Sequence, residues 1–287
     1  MPCRLGYQPR VSSRPVSAAF REQAEALRRG ARVSLADVAL VLAADLHDDV
    51  DTAAAHRELD RLGMLARVRL EREEGLEAKA GALLDVLTEQ GFRGNRNAYE
   101  DPRNSFLDQV LARRTGIPIT LAIVAIETGA RAGLELDGVS FPGHFLVRTP
   151  SEPPVILDAF EGSLVSVVDC ERRLKAALGP AAVLDPALLG AASAREILVR
   201  MLGNLKNGFL GEGDWISAID CCDRLILVAP ELVSELRDRG ILWTRLGFVA
   251  PAIEDLEHYL ERVPGAPEAD QLRQELVRLK AEDVTLH

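Results

Sequence analysis

The sequence predicts an α+β protein that is mostly helical, with one small antiparallel sheet and a C-terminal pair of helical repeats. Three observations predict it. Apolar residues recur at spacings of three and four from Ser17 to about Gln90. After Gly133 the pattern changes to short runs rich in Val, Phe and Leu. Towards the C-terminus, equivalent residues recur 34 positions apart. The 287 residues are 47% hydrophobic and 27% charged with a mean hydropathy of +0.03, a soluble globular balance with length for about two domains.

Ser34 followed by Asp37 is a capping start for a helix carrying Leu35, Val38, Leu42 and Leu46, and Asp51 opens another with Leu59, Leu62 and Leu65. Leu76, Ala80, Leu83, Leu84 and Leu87 repeat the device, and Gly91 stops it. A loop rich in Gly and Asn, Gly91 to Asn97, and then Asp101-Pro102-Arg103-Asn104 lead into a helix with Phe106, Leu107, Val110 and Leu111 on one side, ended by Gly116. Pro118 opens the next helix, where its missing N–H costs nothing. Leu121 to Ile126 is apolar all round, so this helix is expected to be buried on every side until Arg131 and Gly133.

Val139 to Arg148 reads as a strand broken near Pro142-Gly143, and Pro154 to Phe160 as a second. A hairpin turning about Ser151 sets Val147 opposite Val155, Leu146 opposite Ile156 and His144 opposite Asp158, within contact distance on one face. A helix from Arg172 to Leu178 follows, then a stretch rich in Gly, Pro and Ala. The expected division is a flexible N-terminus at 1–16, a helical part and core at 17–178, a linker at 179–194 and repeats at 195–287.

In the repeat region Leu202 and Leu236, Gly213 and Gly247, Ala218 and Ala252, Ile219 and Ile253, and Pro230 and Pro264 are each 34 residues apart, the period of a tetratricopeptide unit. Small Ala218 and Ala252 let helices approach, Cys222 and Leu256 fill the large apolar slot, Phe209 and Trp243 the aromatic slot, and the prolines end each second helix. Two units need a cap, expected at Glu268 to Lys280. Stacked helix pairs offer a concave surface for a protein or peptide partner, or they extend the core.

Lys plus Arg number 34 against 44 Asp plus Glu, a formal net charge of -10, which argues against a sequence-independent grip on nucleic acid or anionic lipid. No apolar run has the length of a transmembrane helix. Cys3, Cys170, Cys221 and Cys222 are scattered without metal or disulfide spacing, so no metal or cofactor is expected and a reducing cytoplasm is the simplest setting.

A buried helix whose N-terminus lies near a His/Asp pair on following strands is the layout of a papain- or transglutaminase-like hydrolytic core. There the helix tip stabilises a thiolate, a histidine exchanges its proton and a carboxylate fixes the imidazole. His144 and Asp158 supply the second and third parts. No cysteine lies between Cys3 and Cys170, and Thr120 is the hydroxyl beside the tip. A helix dipole of about 1 kcal/mol does not ionise a threonine, so a Thr120 nucleophile would depend wholly on His144. The bland alternatives are a polar staple for His144 and Asp158 and a helix cap for Thr120. Asn104 and Ser105, with Asn95 and Asn97, either line the cleft or cap turns; Arg114 and Glu127 either bind an anion or, with Glu127 four residues before Arg131, form solvated and paired charges.

The runs Gly91-Phe92-Arg93-Gly94-Asn95, Asn104-Ser105-Phe106-Leu107, Val110 to Leu121 with Gly116-Ile117-Pro118-Ile119-Thr120, Phe141-Pro142-Gly143-His144-Phe145-Leu146-Val147-Arg148 and Leu157-Asp158-Ala159-Phe160 together resemble the bacterial SirB-type family. The resemblance spans roughly Ser17 to Lys280. It implies a transglutaminase-like core followed by tetratricopeptide repeats, with His144 and Asp158 at the superfamily's second and third catalytic positions. Two functions are expected: a non-catalytic interaction or regulatory protein acting through cleft and repeats, or a hydrolase or acyltransferase using His144 and Asp158 with Thr120 or water as nucleophile.

Overall fold

The computed structural model describes residues 13–286, which fall into two compact units: Gly30–Met201, and Leu202 onward together with the described residues up to Arg29. The first unit contains α2 (Leu35–Leu46), α3 (Thr52–Leu70), α4 (Leu76–Glu89), α5 (Leu107–Arg113), α6 (Pro118–Ala132) and α7 (Val167–Leu178). Its strands are β1 (Arg93–Gly94), β2 (Thr115–Gly116), β3 (Asp137–Val139), β4 (Leu146–Arg148), β5 (Ile156–Asp158) and β6 (Ser163–Val165). β1 and β2 pair in parallel, and β3-β4-β5-β6 form an antiparallel meander.

The caps read from the sequence hold: Ser34 Oγ accepts from Asp37 N and Asp51 from Ala54 N. Every residue of α6 from Pro118 to Gly129 is buried, as its all-round apolar composition requires. α3 crosses it so closely that a Cβ on Gly63 would stand 2.4 Å from Arg131 Cβ. α6 packs against β3 and β4, and α7 closes the opposite face of the sheet over Val139, Leu146, Ile156 and Val165.

Several expectations are corrected. Val139 to Arg148 is not one interrupted strand, because Pro142-Gly143 lies in a turn between β3 and β4, with Val139 opposite Leu146. The next hairpin turns about Glu152 rather than Ser151, giving Val147 opposite Leu157 and Arg148 opposite Ile156. Thr149 Oγ1 accepts from Val155 N and bonds Ser151 Oγ, which enlarges the turn. The register is shifted by two, so His144 is no longer directly opposed to Asp158 yet keeps its face. Gly116 does not end α5. Arg114, at φ 58°, ends it, and Gly116 sits in β2, where a Cβ would lie 2.8 Å from Thr120 Oγ1. α7 begins at Val167, five residues before the expected Arg172, on a capping box between Ser166 and Asp169.

The second unit holds α1 (Ala18–Arg28), α9 (Trp215–Val228), α10 (Ser234–Leu246), α11 (Val249–Arg262) and α12 (Ala269–Leu286). The boundary between units falls within α8 (Ala194–Glu212). Helix ends reproduce the 34-residue period: α8 and α10 stop at Glu212 and Leu246, and α9 and α11 span equivalent residues. Gly213 and Gly247 take φ of 74° and 78° to turn the chain, a conformation that suits glycine. Ala218, Ala252, Cys222 and Leu256 are fully buried, Phe209 is buried, and Trp243 is partly buried against the α10–α12 cluster. Pro230 and Pro264 follow the ends of α9 and α11.

Contacts divide the chain differently from the expected boundaries. α1 packs on α9, within the repeat unit. The 179–194 segment is not a free linker, since Ala182, Leu184, Leu188 and Leu189 pack against the sheet cluster. Of the N-terminus expected to be flexible, residues 1–12 lie outside the described residues. Arg14 N donates to Asp220 Oδ1 at 2.6 Å, and Arg224 donates to the carbonyls of Arg14 and Pro15.

Candidate functional site

The β3–β4 turn presents His144. Fully buried Phe141 and nearly buried Phe145 anchor its flanks, and His144 N closes the turn on Phe141 O at 3.1 Å. Arg200, on α8, clamps the same turn. Its guanidinium donates to Ser140 Oγ (3.0 Å), Phe141 O (3.0 Å) and His144 O (2.6 Å), and lies 5.5 Å from the Phe145 ring centroid. Burial pulls the Arg200 pKa down from its ordinary value.

Asp158 ends β5 and is fully buried. Its Oδ2 meets His144 Nε2 at 2.9 Å and Arg173 Nη1 at 2.5 Å, while Oδ1 accepts from Phe160 N (2.9 Å) and Glu161 N (3.1 Å). Arg173 reaches it because α7 lies on the sheet face that carries Asp158. Burial pushes this carboxyl up, but the hydrogen bond and charge of His144, the Arg173 guanidinium and the Glu161 N–H outweigh it and hold it below the usual carboxylate range. The ionised carboxylate fixes Nε2 as the donor and leaves the Nδ1 lone pair of a 16% exposed imidazole available for a proton.

Thr120 is fully buried at the start of α6. Its Oγ1 accepts from Ile117 N at 3.2 Å and donates to Asn104 O at 2.7 Å. The hydroxyl caps the helix and ties it to the preceding loop. Asn104, also fully buried, accepts from Asn95 Nδ2 at 3.1 Å and donates to Ala98 O at 2.7 Å, so its amide frames that loop. Ser105 is 3% exposed, and its N–H closes the turn on Pro102 O at 2.9 Å.

Asn104 and Ser105 thus frame this loop and do not line the cleft described below, and the other two residues expected there, Arg114 and Glu127, are elsewhere too. Arg114 turns towards α3, paired with Glu58 at 2.5 Å and stacked 4.8 Å from Phe92. Glu127 lies two and a half turns along α6 from its tip. It accepts from Ser34 Oγ (3.0 Å), Ala36 N (2.9 Å) and Arg131 (2.6 Å), so the expected ion pair forms and also caps α2.

A cleft with a volume of about 520 Å³ is lined by Arg93 to Asn97, Thr115, Phe160 and Glu161. Phe160 forms its wall, edge-on to His144 (6.0 Å) and Tyr99 (6.2 Å), with Arg96 over its face at 5.4 Å. Its ring lies against Gly94 so tightly that a Cβ there would stand 2.4 Å from Cε2. Sequence reasoning missed Arg173, Arg200 and the role of Phe160. The Ser166-x-x-Asp169 capping box could have placed Arg173 one helical turn beyond Asp169, whereas nothing local marked Arg200. Among the described residues no group of three His, Cys, Asp or Glu side chains gathers to hold a metal ion, and no helix is long and apolar enough to cross a membrane.

Residues 53–203, which carry the buried helix, the antiparallel sheet and the His/Asp pair, match a family model described as the transglutaminase-like superfamily, and residues 205–276 match the tetratricopeptide repeat. A UPF0162 protein of Xylella fastidiosa (strain Temecula1) is 37% identical over 259 residues, covering 88% of this chain and 92% of the relative. A UPF0162 protein of Vibrio cholerae is 34% identical, covering 89% and 96%. Protein SirB1 of Salmonella typhimurium is 27% identical, covering 83% and 90%. The chain belongs to this SirB-type family. Its transglutaminase-like core and its repeats follow in the order that the motifs from Gly91 to Phe160 and the 34-residue period imply. No solved structure matches the SirB-type chain.

Proposed function

We propose that this SirB-type protein is a non-catalytic interaction module, in which a degenerate transglutaminase-like cleft holds a ligand and the repeats hold a protein partner. The observation that carries the reading is the state of Thr120: fully buried, its Oγ1 is enclosed by Asn104 O (2.7 Å), Ile117 O (3.1 Å) and Ile117 N (3.2 Å), the bonding of a cap and not of a nucleophile. Nor do the described cysteines offer a thiolate. Cys170, Cys221 and Cys222 are buried, and burial pushes each thiol up. Three free thiols also fit a reducing cytoplasm. His144 and Asp158 then act as a polar framework behind the cleft, holding the backbone of Phe160 and Glu161, which line it.

A second reading is favoured by one observation. His144 keeps Nδ1 free while Asp158 orients the ring, the arrangement of a general base that could activate water for ester or amide hydrolysis. Labelling with electrophilic ester and amide probes separates the two. Equal, background labelling of wild type and His144→Ala is expected; labelling of wild type that His144→Ala abolishes would overturn the non-catalytic reading. Partner capture is expected to survive His144→Ala and to fail when Ala252 or Gly247 is enlarged. Capture indifferent to the repeat variants would remove the repeats from the interaction.

A further inference from the structure

We propose that the cleft beside Phe160 receives a glutamate side chain of an acidic polypeptide segment, with Arg93 as its counter-ion. The proposal rests on the reading that this cleft binds rather than transforms its ligand, and it names what is bound.

The argument begins with how neighbouring guanidinium groups are used. Arg96 pairs with Glu161, Arg103 and Arg113 with Asp101, Arg114 with Glu58 and Arg173 with Asp158, and Arg200 is taken up by two carbonyls and a hydroxyl. Arg93 is different. It is exposed, its contact is a 3.5 Å approach to Gly91 O, and among the described residues no carboxylate lies within ion-pair distance of it. A planar fork of donors on a residue that lines the cleft and lacks an acid matches a carboxylate bidentately.

The charge of the lining runs against that of the molecule. The chain carries -10 overall, yet the cleft holds Arg93 and Arg96 against the single carboxylate Glu161, which Arg96 already neutralises. An anion is therefore attracted locally on a surface that otherwise repels it. Phe160 supplies a flat apolar wall, held in place from below by Gly94. That wall suits the two methylenes of glutamate better than the one of aspartate. The exposed Asn97 amide is at the rim for the flanking peptide backbone, and about 520 Å³ accommodates one side chain with its neighbouring peptide groups.

The test is fluorescence anisotropy on the full chain with a fluorescein-labelled peptide of alternating Glu and Ala, and its Gln-for-Glu counterpart as control. The Glu peptide is expected to bind and to weaken with added salt; the Gln peptide is expected not to bind. Arg93→Glu is expected to weaken binding by about tenfold or more, and Arg93→Lys by less, because lysine lacks the fork. Glu161→Gln is expected to strengthen binding, since it removes a like charge and releases Arg96. Because Arg93 is exposed, an unchanged melting curve for its variants separates loss of binding from loss of fold. Equal binding of the two peptides, indifference to Arg93→Glu, or competition by free glutarate as effective as by unlabelled peptide would each overturn the proposal. Mass spectrometry of the recovered peptide keeps the two readings apart. A His144-dependent mass change with binding intact would defeat the non-catalytic reading alone, whereas absent binding would defeat this proposal alone.

Discussion

Replacing Asp158 by asparagine tests the centre of the core directly. The carboxylate accepts four hydrogen bonds, from His144 Nε2, Arg173 Nη1, Phe160 N and Glu161 N. Asparagine keeps one carbonyl oxygen for the two backbone donors, but its NH₂ then faces two other donors, His144 and Arg173. Two charge-assisted bonds at roughly 1.5–3 kcal/mol each are lost. Partial solvation of His144 and Arg173, 16% and 27% exposed, returns some of this. The expected net cost is about 3 kcal/mol, a fall of roughly 6–12 °C in the melting temperature of the core unit by calorimetry. The effect depends on pH with a definite sign. Because the folded carboxyl titrates below its unfolded value near 3.9, its contribution is complete above about pH 4 to 5 and is lost as pH falls through the folded pKa. The gap between wild type and Asp158→Asn should therefore be full at neutral pH and close in acid. Melting temperatures that agree at neutral pH, or a gap that persists undiminished in acid, would refute the argument that a buried, charge-paired carboxylate organises this site.

Other outcomes follow from single contacts. Gly240→Ala places a Cβ 2.8 Å from Leu256 Cγ where α10 crosses α11, and overpacking should cost about 1–3 kcal/mol in thermal unfolding of the repeat unit. Ala252→Leu, at a fully buried position, should cost more than about 1 kcal/mol, and an unchanged melt would contradict the role assigned to this small residue. Glu127→Gln breaks the pair with Arg131 and weakens the acceptor for Ala36 N, with about 2–4 kcal/mol expected from urea titration. In a Cys3→Ser background, Cys170, Cys221 and Cys222 should resist iodoacetamide until the protein unfolds, as read by mass spectrometry; modification of the native state would contradict the burial that raises their thiols.

The parts of the fold legible in the sequence are those fixed by local spacing. Ser34 and Asp51 caps, the helix opened by Pro118 with its apolar Leu121–Ile126 run and the 34-residue period each depend on residues within one or two elements, and each stands in the structure as expected. The hairpin register was not legible, because it depends on how Thr149 and Ser151 fold the turn about Glu152. The expected meeting of His144 with Asp158 survives that error because strand faces alternate with a period of two, so a shift of two keeps both on one side. Arg173 and Arg200 were hidden because a solvated arginine looks the same on the page as one that holds a carboxylate or a turn; Arg173 stands only 15 residues from Asp158, whereas Arg200 comes from a helix 56 residues beyond His144. β6 was missed because a three-residue strand carries too little pattern to stand out beside the helix that follows it.

The concentration of polarity at one end of α6 has a lasting consequence. Glu127 and Arg131 bind α2 and α3 at the far end, while the tip near Thr120 meets the cleft through a cap and loops. The ties that Glu127 and Arg131 make to α2 and α3 thus share no residue with the lining of the cleft. If the cleft takes the ligand proposed above, exchanging Arg93, Asn97 or Glu161 would retune what it holds and leave the ties of Glu127 and Arg131 to α2 and α3 in place.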